Sequence, residues 1–408
     1  MPPPVNVLVY GPLDAGSCDV YRAGMFRDHL AALGVNLRAW TELTVNFAPG
    51  YEARPEEALR DGAFEIDHSD LDWADVIVFR RYYFTAFACD ASDAASLVEA
   101  DMIEHARVSG HHYRRPLETL LRPIWARLLK DPSFLAGRAI VYETDDHILA
   151  TPTWFGSAVA VAEHDMVRSM LRLADLVTVS TPTLERMAKP YNDSVRLIRN
   201  AIEPDWYPDR ASVPERQGDP RILFYGVPQR LRDYSVCRDA VDEVTRSTPG
   251  ARRVWLGGDD PALREVADEV QPFVRGAPMF ARSLVEALPD IGLCPVADDE
   301  YNRARSELHW LEYSMAGAAC IATRLMGGGP YEIIRDGVDG LLARNKAQWR
   351  DALRSLAGSP DRRAELAGRA RERVLAEYRA ADRAVEWAEA YRWAAEHAGR
   401  GIARGAAG

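Results

Sequence analysis

The densest run of chemically capable residues is Asn302-Arg303-Ala304-Arg305-Ser306-Glu307-Leu308-His309-Trp310-Leu311-Glu312. A helix over roughly 305–316, at about 100° per residue, sets Arg305, His309 and Glu312 on one face. Leu308, Leu311 and Met315 then form an adjacent apolar stripe facing a core. Such a helix presents two potential cations and one carboxylate to an anionic ligand. A diphosphate suits the cations and the helix N-terminus. A ribose-like diol suits the carboxylate, which accepts hydrogen bonds from both hydroxyls. The plain alternative is a solvated helix face. Against it stand the apolar run Ala319–Thr323 and the loop Gly327-Gly328-Gly329-Pro330. A glycine loop at a strand edge is where open α/β sheets hold ligands.

Two further clusters could do chemistry. Arg138-Ala139-Ile140-Val141-Tyr142 reads as a strand ending in Glu143-Thr144-Asp145-Asp146-His147. Acidic residues at that end can act as base, hydroxyl acceptor or metal ligand. Asp145 and Asp146 are adjacent rather than alternate and diverge, so no metal site is expected. Arg230 and Arg232 follow the strand-ending Gly226 and are placed like phosphate ligands. Gly110-His111-His112 invites a metal reading, but adjacent histidines point apart and lack a carboxylate partner at ligand spacing; a surface pair is expected.

The elements that must position these groups repeat as strand and helix. Val5–Tyr10 is a buried first strand, Gly11 to Ser17 a turn containing Gly16, and Val20–Leu33 an amphipathic helix. Arg22 lies in its first turn, where it could reach ligand. Val35–Trp40 and Ala74–Arg80 continue the series. Residues 42–71 read as acidic and irregular, and 90–135 as interrupted helical patterns. Leu173–Pro182 and Val195–Asn200 supply more strands. Residues 200–220, rich in Pro and Asp, are the linker candidate. A second series follows with Arg221–Gly226, Val254–Gly258, a short strand near Phe273–Gly276, Ile291–Pro295 and Ala319–Thr323. Residues 362–398 are helical and carry Trp387, Tyr391 and Trp393.

Length supports this organisation, since 408 residues exceed one ordinary core. Apolar content of 47% and charged content of 27% fit a soluble globular chain. A net charge of -11 argues against a nucleic-acid binder and offers no polybasic membrane segment. The five scattered cysteines form no CxxC pair, so a reducing cytoplasmic setting is expected. No signal peptide or 18-residue apolar run is read, and no integral membrane segment is expected. The tail from 399 onward is Gly/Ala-rich.

Several stretches resemble the GT-B glycosyltransferases, nearest to the retaining family-4 type. Val177-Thr178-Val179-Ser180-Thr181 through Arg199-Asn200-Ala201-Ile202 is similar to the end of that family's first domain. Tyr225-Gly226-Val227-Pro228 is similar to the opening of its second. Glu312 through Thr323 resembles the donor segment, and Gly328-Gly329-Pro330-Tyr331-Glu332 through Leu342 the glycine loop after it. The family often carries two glutamates eight residues apart; Glu312 matches the second, and Ala304 stands where the first would be. The run resembles a variant subgroup with Asn and basic residues upstream.

The resemblance implies an α/β GT-B fold of two Rossmann-like domains with an interdomain cleft. The first domain (1–205) would bind acceptor and the second (206–380) nucleotide-sugar, with a final helix (381–408) packing back on the body. It implies sugar transfer from a nucleotide diphosphate-sugar co-substrate to a small-molecule or glycan acceptor, with retention and without metal or other cofactor. Arg230, Arg305 and Asp146 would be catalytic, the arginines at the leaving diphosphate. Gly226, Arg232, Asn302, Ser306, Glu307, His309, Glu312 and Gly328 would bind donor, with Glu312 on the ribose. Gly16, Arg22, Asp145 and His147 would serve the acceptor. The competing readings are a sugar-nucleotide epimerase, a non-catalytic nucleotide or glycan-binding protein and, least favoured, a dinucleotide oxidoreductase, whose glycine fingerprint is missing. Donor base, sugar, acceptor and oligomeric state are not written in the sequence.

Overall fold

The structure is a computed structural model and describes residues 3–10, 13, 17–40, 45–50, 61, 63–66, 69–80, 137–150, 160–209, 220–258, 260–272 and 274–399. Runs rich in Val, Ile and Leu form the strands, as expected where helices cover both faces of a parallel sheet. In the first half these are β1 (Val5–Tyr10), β2 (Val35–Trp40), β3 (Val45–Phe47), β4 (Phe64–Ile66), β5 (Val76–Arg80), β6 (Ala139–Thr144), β7 (Leu176–Val179) and β8 (Val195–Leu197). The second half has β9 (Arg221–Tyr225), β10 (Arg252–Leu256), β11 (Glu269–Gln271), β12 (Ile291–Cys294), β13 (Ala319–Thr323) and β14 (Leu341–Ala343).

Two parallel sheets of six strands result, ordered β2-β1-β5-β6-β7-β8 and β11-β10-β9-β12-β13-β14. β3 and β4 pair antiparallel as a separate hairpin. Strand order reverses between β1 and β5, and again between β9 and β12. Ligands of such sheets bind beyond the carboxyl ends of the strands at these points. There lie Leu13 and Arg80 in one half, and Gly226 and Pro295 in the other. The α/β fold of two Rossmann-like sheets is the one expected.

Several expectations shift on contact with the structure. The helix expected over Val20–Leu33 is broken into Ser17–Arg22, a 3-10 turn Gly24–Phe26, and Arg27–Ala32. Gly24 sits against the Leu13 backbone, where an added Cβ would lie 2.0 Å from the Leu13 carbonyl oxygen. Periodicity cannot register that close approach. Residues 42–71, expected to be irregular, contain the β3–β4 hairpin and a helix, Ser69–Trp73. The strand expected near Phe273 is β11, a few residues earlier, paired in register with β10. The helical tail is two helices, Pro360–Glu377 and Ala380–Glu396. Between them the chain bridges to Ile202, whose N–H donates to Tyr378 O at 2.7 Å and whose carbonyl accepts from Ala380 N at 2.8 Å. The last helix then lies on the first sheet, burying Trp387 and Tyr391, with the Trp387 ring 6.0 Å from Phe26. No helix among the described residues is long and apolar enough to cross a membrane.

Candidate functional site

The helix that carries Glu312 spans Leu308–Met315, shorter than the expected 305–316, with Glu307 at its N-cap. Arg305 therefore precedes the helix and shares no helical face with His309 and Glu312. It reaches the site by another route. The short helix Leu231–Tyr234 after β9 carries Asp233, which is 4% exposed. Arg230 Nη1 lies 2.5 Å from Asp233 Oδ2, and Arg305 Nη1 lies 3.9 Å from the same oxygen. The other oxygen accepts from Asn302 Nδ2 at 2.8 Å and from the Ala297 N–H at 2.9 Å. One carboxylate thus gathers two arginines from distant parts of the chain beside the β9–β12 crest. Asn302 is 2% exposed and its amide also donates to Ala297 O, so it supports Asp233 and does not present itself to a ligand. Arg232 is tied to Asp299 at 2.6 Å.

Backbone proximity explains Gly226. Its φ is +140°, and Gly257 packs so closely that a Cβ there would lie 2.4 Å from Gly226 O. On Gly226 itself a Cβ would meet Arg230 Cγ at 2.8 Å. Small crests at β9 and β10 let Arg230 fold back over the strand ends. Gly328 has φ +117° and its carbonyl accepts from Arg303 Nη1 at 3.1 Å. Arg303 also binds Met326 O and Asp298, so it braces the glycine loop.

His309 and Glu312 differ from expectation. His309 is partly buried with its ring 4.1 Å from that of Tyr225. Desolvation holds its imidazole well below the ordinary value, and the Arg230 charge pushes the same way. At neutral pH it is uncharged, so the helix offers no second cation. Glu312 is 2% exposed, and both carboxylate oxygens are taken. The Tyr21 phenol donates to Oε1 at 2.6 Å and the Tyr225 phenol donates to Oε2. Burial pushes the Glu312 carboxyl up to about 7, although the phenols pull the other way. Any further donor to this carboxylate has to share it with the two phenols or displace one of them.

Tyr21 belongs to the first half, so its bond joins the halves. Three more contacts do the same. The Thr181 hydroxyl donates to Ala304 O at 2.9 Å, Asn200 Nδ2 donates to Ser306 Oγ at 2.8 Å, and Arg199 Nη1 lies 3.5 Å from Glu307 Oε1. Ala304, at the position of the absent glutamate, is fully buried in the core cluster of the first half. Glu307 is 1% exposed, and burial raises its carboxyl while Arg199 opposes.

In the first half Arg22 is 1% exposed and lies beneath the crest. Its Nε donates to Glu143 at 2.7 Å and its Nη1 to Ile198 O at 2.6 Å and Asn200 Oδ1 at 3.1 Å. The guanidinium also lies 4.8 Å from the Trp387 ring centre. It has no surface for an acceptor, contrary to expectation. Burial raises the Glu143 carboxyl even with Arg22 opposing. His147 is 7% exposed, with Nε2 3.4 Å from Glu300 Oε1 of the second half; desolvation lowers its pKa. Asp145 and Asp146 lie half-buried beside it, and the Thr144 hydroxyl donates to Asp146 O at 2.8 Å. Gly16, His111, His112 and the stretch 90–135 lie outside the described residues. Among the described residues, no three His, Cys, Asp or Glu side chains group as a metal site.

Sequence reasoning missed Asp233, Tyr21, Thr181 and Arg186. Only Asp233 carried a local signal, three residues after Arg230 on a helical turn. Arg186 joins Arg199, Arg303 and Arg305 in lining a cavity of ≈ 50 Å³ between the halves.

Comparison with known proteins bears on the fold. Residues 240–389 match the family described as glycosyl transferase-like. A sucrose-phosphate synthase from Thermosynechococcus elongatus superposes with a TM-score of 0.59 at 15% identity, over 95% of this chain and 98% of that one. A glycosyltransferase from Rickettsia africae gives 0.54 at 13% identity, over 96% and 98%. The Anabaena protein HepE, in complex with UDP-glucose, gives 0.54 at 14% identity, over 94% and 98%. No curated protein matches. At these identities the likeness is one of fold, and the fold is GT-B.

Proposed function

We propose that the chain transfers a sugar from a nucleotide diphosphate-sugar to an acceptor bound on the first half. The observation that carries this is the convergence of Arg230 and Arg305 on Asp233 at the β9–β12 crest. A leaving diphosphate develops negative charge as the glycosidic bond breaks. Preorganised guanidinium groups stabilise that charge without reorganising at the moment of reaction. Asp233 and Asn302 hold the arginines in place, and the glycine crest clears space for the phosphates. The glycosyl transferase-like match and the fold support the same reading.

Finer features follow from the earlier resemblance. Retention would proceed by front-face attack assisted by the leaving phosphate, which needs no protein nucleophile. Two arginines supply the charge compensation a divalent cation would otherwise bring, so the reaction would run without metal. Glu312 would accept the ribose diol once the Tyr21 phenol yields its oxygen, which links nucleotide binding to separation of the halves. His147 and Asp146, at the carboxyl end of β6, would orient the acceptor hydroxyl. The setting would be cytoplasmic.

The test is direct. Nucleoside diphosphates and their sugars are screened by thermal shift, and the best donor is incubated with and without candidate acceptors and followed by NMR. Donor-dependent sugar transfer that survives EDTA and falls at least about tenfold in Arg230→Ala is expected. Epimerised donor in the absence of acceptor would replace the proposal with an epimerase.

A further inference from the structure

The cavity between the halves has an unusual charge balance. Four arginines, Arg186, Arg199, Arg303 and Arg305, line it against two glutamates, Glu307 and Glu332. Not all of that charge is neutralised locally. Arg303 is held by Asp298 and loop carbonyls. Arg305 is 3.9 Å from Asp233, at the limit of an ion pair. Among the described residues Arg199 has one ion pair, with the buried Glu307 at 3.5 Å. Arg186 donates to Thr183 Oγ1 at 2.9 Å and has no carboxylate in ion-pair distance among the described residues. Within this wall Glu307 Oε1 is buried without a hydrogen-bond donor among the described residues.

We infer that this pocket is a subsite for an acidic group, a carboxylate or a phosphate monoester, carried by the sugar-bearing acceptor. The inference rests on the glycosyl-transfer reading. Three observations direct it. Arg186 and Arg199 come from the first half, the side that binds acceptor, whereas the diphosphate arginine Arg230 does not line the cavity. Arg305 lines it and also approaches Asp233, so the pocket adjoins the diphosphate position and is not identical with it. Size agrees as well. A cavity of ≈ 50 Å³ has room for roughly four water-sized groups, the extent of a phosphoryl or carboxylate head. Guanidinium forks match both anions with paired N–H donors. Glu307, whose Oε1 has the Arg199 ion pair at 3.5 Å and no hydrogen-bond donor among the described residues, is placed to accept a hydroxyl next to the acidic group.

Calorimetry on the full chain tests this with glucose 6-phosphate, glucuronate, glucose and inorganic phosphate. Each is titrated alone and with the nucleoside diphosphate that shifts melting most. At least one sugar acid should bind about tenfold more tightly than glucose or inorganic phosphate. It should also bind alongside the nucleotide. Preference for the phosphate or the carboxylate sugar identifies which acid the acceptor carries. Arg186→Gln with Arg199→Gln should remove about tenfold of that affinity while nucleotide binding changes less than about twofold. Equal binding of glucose, equal binding of inorganic phosphate, indifference to the double variant, or displacement by the nucleotide would each overturn the inference. Failure of every nucleoside diphosphate to bind would sink the glycosyl-transfer reading instead, and the sugar arms would still judge the pocket.

Discussion

Arg22 and Arg230 make an instructive pair. Each lies in the connection leaving the first strand of its sheet, β1 or β9, and each is held by a carboxylate at 2.7 Å or less. Their partners differ in origin. Arg22 is matched to Glu143 of β6, a distant strand, and is sealed by two further acceptors and the Trp387 ring. Arg230 is matched to Asp233, one helical turn away, and its side chain keeps 12% of its surface. A long-range partner turns the residue into part of the core. A local one leaves it a head group beside the crest. Equivalent topological positions therefore seal one arginine in the core and leave the other partly exposed at the crest, where the proposed reading puts the diphosphate.

That contrast can be broken experimentally. Arg22→Ala removes the cation hydrogen-bonded to the buried Glu143, leaving only the positive charge of Arg80 nearby, and should cost about 3–5 kcal/mol in denaturant unfolding. A loss under about 1 kcal/mol would show that Arg22 is not structural. Glu312 should give the next effect. Its carboxyl rises from the ordinary 4.5 to about 7, so the folded state favours the protonated form. The associated stability is present below pH 4.5 and is lost as pH climbs through about 7. The difference amounts to on the order of 3 kcal/mol, and Glu312→Gln should flatten that part of the stability curve. Arg230→Ala should unfold only about 1 kcal/mol more easily while nucleotide affinity falls about tenfold, the reverse of the Arg22 pattern. Tyr21→Phe should cost about 1 kcal/mol and, if ribose replaces the phenol, should tighten nucleotide binding by calorimetry. Weaker binding in that variant would remove the exchange step.

Much of the fold was legible because its signals are local. Continuous Val/Ile/Leu runs mark buried parallel strands, and β1, β2 and β13 lie where the sequence places them. The break at Gly24 was illegible because it answers to the Leu13 carbonyl, a tertiary contact. In the candidate site, Arg230 stands out by residue type and by its place after a strand end, and Arg305 by residue type and by its place in the polar run ahead of Glu312. Asn302, a donor ligand on the resemblance, proves to brace Asp233, because the identity of an amide does not reveal whether it faces ligand or carboxylate. His309 reads as a potential cation in sequence because its pKa depends on burial and on Arg230, neither visible in a helical wheel.

By itself, then, the sequence determined the alternation of strand and helix, the glycine crests and the gathering of polar residues ahead of the Glu312 helix. Those follow from side-chain period and from backbone freedom at glycine. Tertiary structure alone decided which charges remain for a ligand. It buried Arg22 against Glu143, set Glu312 between phenols from both halves, and brought Arg186 and Arg199 of one half to face Arg305 of the other. The reason is physical: the state and reach of a charged group depend on its solvation and on neighbours that are remote in the chain.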